Sequence, residues 1–142
     1  MSETPTTPMN VDWALDDLVE GLNALCAVAV STDGMLIQRS RRISRDSADS
    51  LAARASSLAS IARGISRQFG SGPMQQTIVE MKDAYLVITA AGSNACLAVL
   101  ADVNADLGQV GYEMNRLVKR VGAHLGSQPR DTTAALNGGL EG

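Results

Sequence analysis

Few residues in this chain have the types and spacing that chemistry demands. Two cysteines, Cys26 and Cys96, and one histidine, His124, are the whole supply of thiol and imidazole. That is almost no material for a metal site or a thiol–imidazole nucleophile pair. Each cysteine sits inside an apolar, strand-like run and reads as a small core hydrophobe of a reducing compartment. His124 falls near the end of a helical pattern, where a cation suits the helix dipole. Asp16 and Asp17 are adjacent. On a helix such neighbours point about 100° apart, which makes a poor acid/base dyad and a better solvated face. The sequence holds no GxxxxGK[ST], no GxSxG, no HExxH and no paired CxxC. Gly70-Ser71-Gly72 follows a helical pattern, whereas a phosphate cradle needs backbone amides at a helix start. The sequence therefore points to no catalytic residue, no cofactor site and no metal.

Charge placement is the stronger signal. The first helical segment carries Asp12, Asp16, Asp17 and Glu20 and no base. Between Arg39 and Arg67 lie seven arginines, 39, 41, 42, 45, 54, 63 and 67, against Asp46 and Asp49. The chain has ten arginines and two lysines, and the arginine fork suits carboxylate recognition and stacking at interfaces. Two readings stand side by side: a solvated helix face, or a basic docking surface for an acidic partner centred on Arg45, Arg54, Arg63 and Arg67. If the first and last helices share a sheet face, the acidic first helix could neutralise Arg116, Lys119 and Arg120 of the last.

Length and composition bound the rest. The 142 residues are enough for one domain, and 45% hydrophobic with 19% charged content suits a folded core. No apolar run approaches the ~20 residues of a membrane span, and MSETPTTPMN lacks the basic start and apolar stretch of a signal peptide. A net charge of −3 argues against nucleic-acid binding by bulk positive charge. Aromatic residues at 3% give little for stacking bases or lining a cofactor pocket.

The elements that must position these residues follow from periodicity. Residues 1–9 read as a flexible arm, 10–125 as the domain and 126–142 as a flexible tail. A helix is expected over 11–23, capped by Asn10, with Val11, Leu15, Leu18, Leu22 and Leu25 on one stripe. Strands over 24–31 and 35–39 flank Asp33-Gly34, a tight-turn pair. A long helix over 44–69 presents Ala48, Leu51, Ala55, Leu58, Ala62, Ile65 and Phe69 at 3–4 spacing. Beside that stripe runs a second of small residues, Ala53, Ser57, Ser60 and Gly64. It reads either as an exposed Ser/Ala face or as a site of close helix–helix packing across a dimer axis. Three strands, over 74–81, 85–91 and 95–101, precede a last helix over 106–125. The fold class is α/β (α+β): α-β-β-α-β-β-β-α, a five-stranded, mostly antiparallel sheet with helices on both faces.

This order, and the residues that fill it, resemble the roadblock/dynein light chain family, and most closely its stand-alone bacterial members. The resemblance is carried by Asp12-Trp13, Leu15–Glu20, Ala27-Val28, Asp33-Gly34, Leu58–Ser60, Ala62–Gly64, Phe69-Gly70, Gln76-Thr77, Val79–Met81, Tyr85–Val87, Thr89–Gly92, Ala95–Leu100 and Gly111–Met114. It implies a homodimer whose sheets join edge to edge through the third strand, at Gln76, Ile78 and Glu80, with the two long helices side by side. It further implies a cytoplasmic, non-enzymatic partner of a small Ras-like GTPase, in a complex with a sensor-kinase-like protein and recruited to the membrane through partners. Two other readings remain open: a small-ligand sensor, which requires a polar internal cavity, and a purely structural scaffold.

Overall fold

The computed structural model describes residues 12–126. The expectations for residues 1–11, the Asn10 cap included, and for the tail from 127 onward lie outside the described residues. So do the side chains of 122–126, His124 among them.

The elements run α1 (Asp12–Leu22), β1 (Cys26–Ser31), β2 (Leu36–Arg39), α2 (Arg45–Phe69), β3 (Gln76–Glu80), β4 (Ala84–Ala90), β5 (Ala95–Asp102) and α3 (Leu107–Gly126). Local chemistry sets the boundaries. Ser44 caps α2 by accepting from the Ser47 amide at 3.1 Å. Gly70 closes it in the left-handed region (φ 61°), its N–H donating to the Ser66 carbonyl. Gly34, at φ 90°, turns the first hairpin, and the Ser31 side chain accepts from the Met35 amide to hold it shut.

All strand pairs are antiparallel, in the order β2-β1-β5-β4-β3. The hairpins β1–β2, β3–β4 and β4–β5 are the local pairings the turns imply. The β1–β5 pairing, Cys26 opposite Leu100 through Ser31 opposite Ala95, joins them. Because α2 leaves β2 at one edge and enters β3 at the other, it must cross the whole sheet.

The sheet is covered on both faces. On one, α1 and α3 bury Leu15, Leu18, Val110 and Met114 against Ala27, Ala29, Val87, Leu97 and Val99. On the other, α2 lies on Val28, Val30, Leu86, Ile88, Cys96 and Ala98. This explains why β5 is apolar at successive positions.

The buried face of α2 differs from expectation. It consists of Ala48, Ala52, Ala55, Ser56 and Ala59. Leu51 and Leu58 pack at its margin, while Ile65 and Phe69 are 54% and 71% exposed. The short side chains of this face let the helix backbone approach the sheet closely. The branched residues are rotated off it. Leu25 likewise leaves the α1 stripe, because Asn23 (φ 57°) ends the helix and turns the chain toward β1.

Candidate functional site

The described residues present two surfaces on which the sequence-predicted residues converge, one at each edge of the sheet. The first is the outer face of α2 beside β3. Ala53, Ser57 and Ser60 are exposed and Gly64 is half-buried, so the small-residue stripe points away from the sheet. A Cβ added at Gly64 would meet nothing within 4 Å; packing within one chain does not require glycine there. Flanking this stripe are Ile61 (62% exposed), Ile65 and Phe69, four residues apart and therefore on adjacent turns. Sequence reasoning missed this apolar row. It placed Ile65 and Phe69 in the core stripe, and periodicity alone does not say which side of a helix meets a sheet.

β3 has β4 on one side and no strand on the other. Its exposure alternates: Gln76, Ile78 and Glu80 are exposed, while Thr77 and Val79 are half-buried under α2. Gln76 reaches toward α3, its amide nitrogen 3.0 Å from the position a Cβ on Gly111 would take. Ile78 is 47% exposed. The Thr77 hydroxyl is buried without a hydrogen-bond partner. The three strand residues named as a seam thus lie together on one open edge. An exposed apolar row sits on the half of α2 that leads into that edge.

The four arginines named as a docking surface do not form one patch. Arg45 lies in the first turn of α2, 3.6 Å from Asp49, near β2. Arg54 is exposed on the outer face, its Nε 3.3 Å from the Ser50 hydroxyl. Arg63 and Arg67 stand one turn apart on the other half of the helix, roughly 27 and 33 Å along the axis from Arg45. These two line a 300 Å³ groove with Thr32, Ser66, Met74 and Ser93. Among the described residues no carboxylate pairs with either, so the groove carries positive charge that nothing in it offsets.

The second surface lies beside β2. Trp13, Asp16, Gln38, Arg39, Ser40, Arg41 and Arg45 line an open concavity of 610 Å³. The Arg41 guanidinium is 3.2 Å from the Asp16 carboxylate, whose other oxygen accepts from the Arg41 amide at 2.7 Å. α1 and α3 do share a sheet face, but Asp16 neutralises Arg41 and not α3. On α3, Arg116 pairs with Glu113 and Arg120 stacks over Trp13 at 5.6 Å.

Nothing resembling a reactive centre appears among the described residues. Cys26 and Cys96 are buried and free, and burial pushes both thiols above their usual range. They lie near opposite ends of the β1–β5 pairing. No group of three or more His, Cys, Asp or Glu side chains that could hold a metal occurs among the described residues. No helix among them is long and apolar enough to cross a membrane.

Comparison with known proteins places this architecture. The family model for the Roadblock/LC7 domain matches residues 11–101. A Roadblock/LC7 domain from Streptomyces avermitilis is 39% identical, with a TM-score of 0.78, over 82% of this chain and 98% of that one. Myxococcus xanthus MglB shares the fold at 21% identity and a TM-score of 0.73, over 79% of this chain and 91% of its own. The gliding protein MglB from Thermus thermophilus shares it at 17% identity and a TM-score of 0.73, over 88% and 93%. A search of the curated proteins returned no match. With the family model spanning well over half of the sequence and every predicted element present in the expected order, the chain belongs to the Roadblock/LC7 domain family.

Proposed function

We propose that this chain is a non-enzymatic homodimeric adaptor that regulates a small Ras-like GTPase within a bacterial signalling complex. Two copies join through Gln76, Ile78 and Glu80 on their β3 edges and through the outer faces of α2, with Ala53, Ser57, Ser60 and Gly64 admitting close helix contact. The GTPase docks on the groove carrying Arg63 and Arg67. Arg54 flanks the paired helices, and Arg45 lies too far along α2 to share that groove. The observation that supports this reading best is the coincidence of an open β3 edge with the exposed row Ile61, Ile65 and Phe69. An apolar row beside unpaired strand backbone is a surface that association covers. The sensor reading requires an enclosed polar cavity, whereas the concavities of 610, 340 and 300 Å³ all open to solvent.

A guanidinium supplied in trans could stabilise phosphoryl-transfer charge. Arg63 and Arg67 sit on a packed helix with less reach than a loop gives, so biasing the partner's own switch segments is the favoured mode. The experiment is capture of the cognate GTPase, loaded with GDP or with a GTP analogue, on the immobilised full chain. Preferential capture of one state is expected. Equal capture of both overturns the regulatory reading, since a binder without state preference shifts no equilibrium. GTP turnover with Arg63→Ala and Arg67→Ala then separates the modes. A loss of stimulation beyond about a hundredfold would indicate a catalytic arginine.

A further inference from the structure

The concavity beside β2 takes no part in the proposed seam or GTPase groove, and its lining is unusual for a chain of net charge −3. Residues 39–45 carry Arg39, Arg41, Arg42 and Arg45 and no carboxylate. Among the described residues the acids facing them are Asp16, Glu20 and Asp49; Asp16 and Asp49 are each paired with one arginine, and Glu20 shares a smaller neighbouring concavity with Arg41 and Arg42. Arg39 is anchored by donating to the Ile43 carbonyl at 2.6 Å, which occupies one of the five N–H groups of its guanidinium. Arg42 is exposed and has no ion pair among the described residues. The Arg45–Asp49 pair is solvent-exposed on both sides, at 69% and 54%, and such a pair is weak and exchanges readily for a better carboxylate. Asp16 is only 16% exposed, but the Arg41 guanidinium it holds is 82% exposed and keeps N–H groups open to a second acceptor. At one wall stands Trp13, the single tryptophan of the chain, 51% exposed and held from one side by Arg120. Tryptophan and arginine, arranged around a concavity, are the residue types on which binding energy concentrates.

The strand itself excludes one mode of binding. β2 is short, and its register against β1 shifts at Ala29/Val30, so that Ile37 is an extra residue. A bulged, arginine-bearing edge resists continuation of the sheet, and its like charges repel the same edge of a second copy. What the arginines oppose in a copy they favour in an acidic chain.

We infer that the β2 concavity docks an acidic segment of a partner protein, its carboxylates on Arg39, Arg41 and Arg45 and an apolar side chain against Trp13. The charge balance of the lining selects carboxylates, and the indole selects a polypeptide with an apolar anchor over a bare polyanion. Recognition runs through side chains, so a proline in the segment is tolerated.

The test is selection of a displayed random dodecapeptide library on the immobilised full chain, with binding of the recovered peptides followed by Trp13 fluorescence. Expected are sequences rich in Asp and Glu around one apolar residue, giving a saturable change in emission. That binding should weaken at least tenfold with Arg41→Glu/Arg45→Glu and stay unchanged with Arg63→Glu/Arg67→Glu. Circular dichroism checks that both variants fold. Recovery of sequences without acidic enrichment overturns the inference, as does equal binding by the Arg41→Glu/Arg45→Glu variant. So does competition by a DNA duplex as strong as by the selected peptide, which would mark a general polyanion surface.

Discussion

The two edges of this sheet handle the same liability in opposite ways. Each ends in a row of backbone groups that a stray strand could pair with. β2 is four residues long, bulged against β1, and runs into an arginine-rich turn. β3 is regular against β4 over five residues, with Ile78 exposed at its centre. It follows the half of α2 that carries Ile61, Ile65 and Phe69. One edge is bulged and leads into like charges, and the other is regular and presents Ile78 between Gln76 and Glu80. The difference teaches that two equally open edges can differ in character, and the proposed dimer uses the one that is regular and carries no arginine. A single helix serves both edges, because α2 begins at one and ends at the other.

The sharpest way to break this comparison is to charge the β3 side alone. Ile65→Asp combined with Ile78→Lys is expected to weaken self-association at least a hundredfold, or about 2.7 kcal/mol. Sedimentation velocity reads the result, with the far-ultraviolet spectrum unchanged. Gln38→Lys on β2 should leave sedimentation untouched. A shift with the β2 variant instead would reverse the roles of the two edges.

The inner and outer faces of α2 give a second contrast. Ala52 is fully buried against the sheet, so Ala52→Leu forces the helix away and is expected to cost about 1–3 kcal/mol in urea unfolding. An unchanged midpoint would show that the alanine face is not what sets the helix–sheet spacing.

Gly64→Ala sharpens the comparison further, because its two effects have opposite sign. An added methyl meets nothing within 4 Å in one chain, and alanine improves the helix interior. The isolated chain should therefore gain about 0.5–1 kcal/mol. Close pairing of two α2 helices should lose affinity at the same time. Gains in both stability and association would place the helix contact elsewhere on α2.

The smallest effect comes from the strands between the edges. Burial raises the Cys26 and Cys96 thiols above their ordinary value of 9.0. The unfolded chain therefore ionises first. The neutral thiols leave stability intact below pH 9.0, and it falls as the pH rises from there toward the folded-state values. Urea titrations at pH 7 and pH 10, with Cys26→Ala/Cys96→Ala as reference, should show a steeper alkaline loss for the native chain. Equal slopes would mean that the thiols are not desolvated.

Particular residues show how far the sequence could be read. Asp33-Gly34 marked its turn, and Gly70-Ser71-Gly72 the end of the long helix, because each acts through its own backbone and its immediate neighbours. Every element was legible in order and within about two residues for the same reason. The candidate site was legible as a set of residue types but not as a surface. Asp16 looked like part of an acidic face, yet it closes on Arg41, 25 positions away. Seven arginines between 39 and 67 looked like one basic stretch. A helix advances about 1.5 Å per residue while rotating about 100°, so Arg39, Arg41 and Arg45 line the β2 concavity, Arg63 and Arg67 the groove at the far end of α2, and Arg54 stands on the outer face between them.

By itself, then, the sequence determined the succession of helices and strands, the hairpins, and the supply of arginine, small and apolar side chains, since these depend on interactions within a few residues. The pairing of β1 with β5, the choice of alanine over leucine for the inner face of α2, and the resulting exposure of Ile61, Ile65 and Phe69 were decided by the tertiary structure. They depend on which surfaces meet across the sheet. Against α2 the sheet takes the alanine face that lets the helix come near, whereas on its other face it takes the leucine, valine and methionine of α1 and α3.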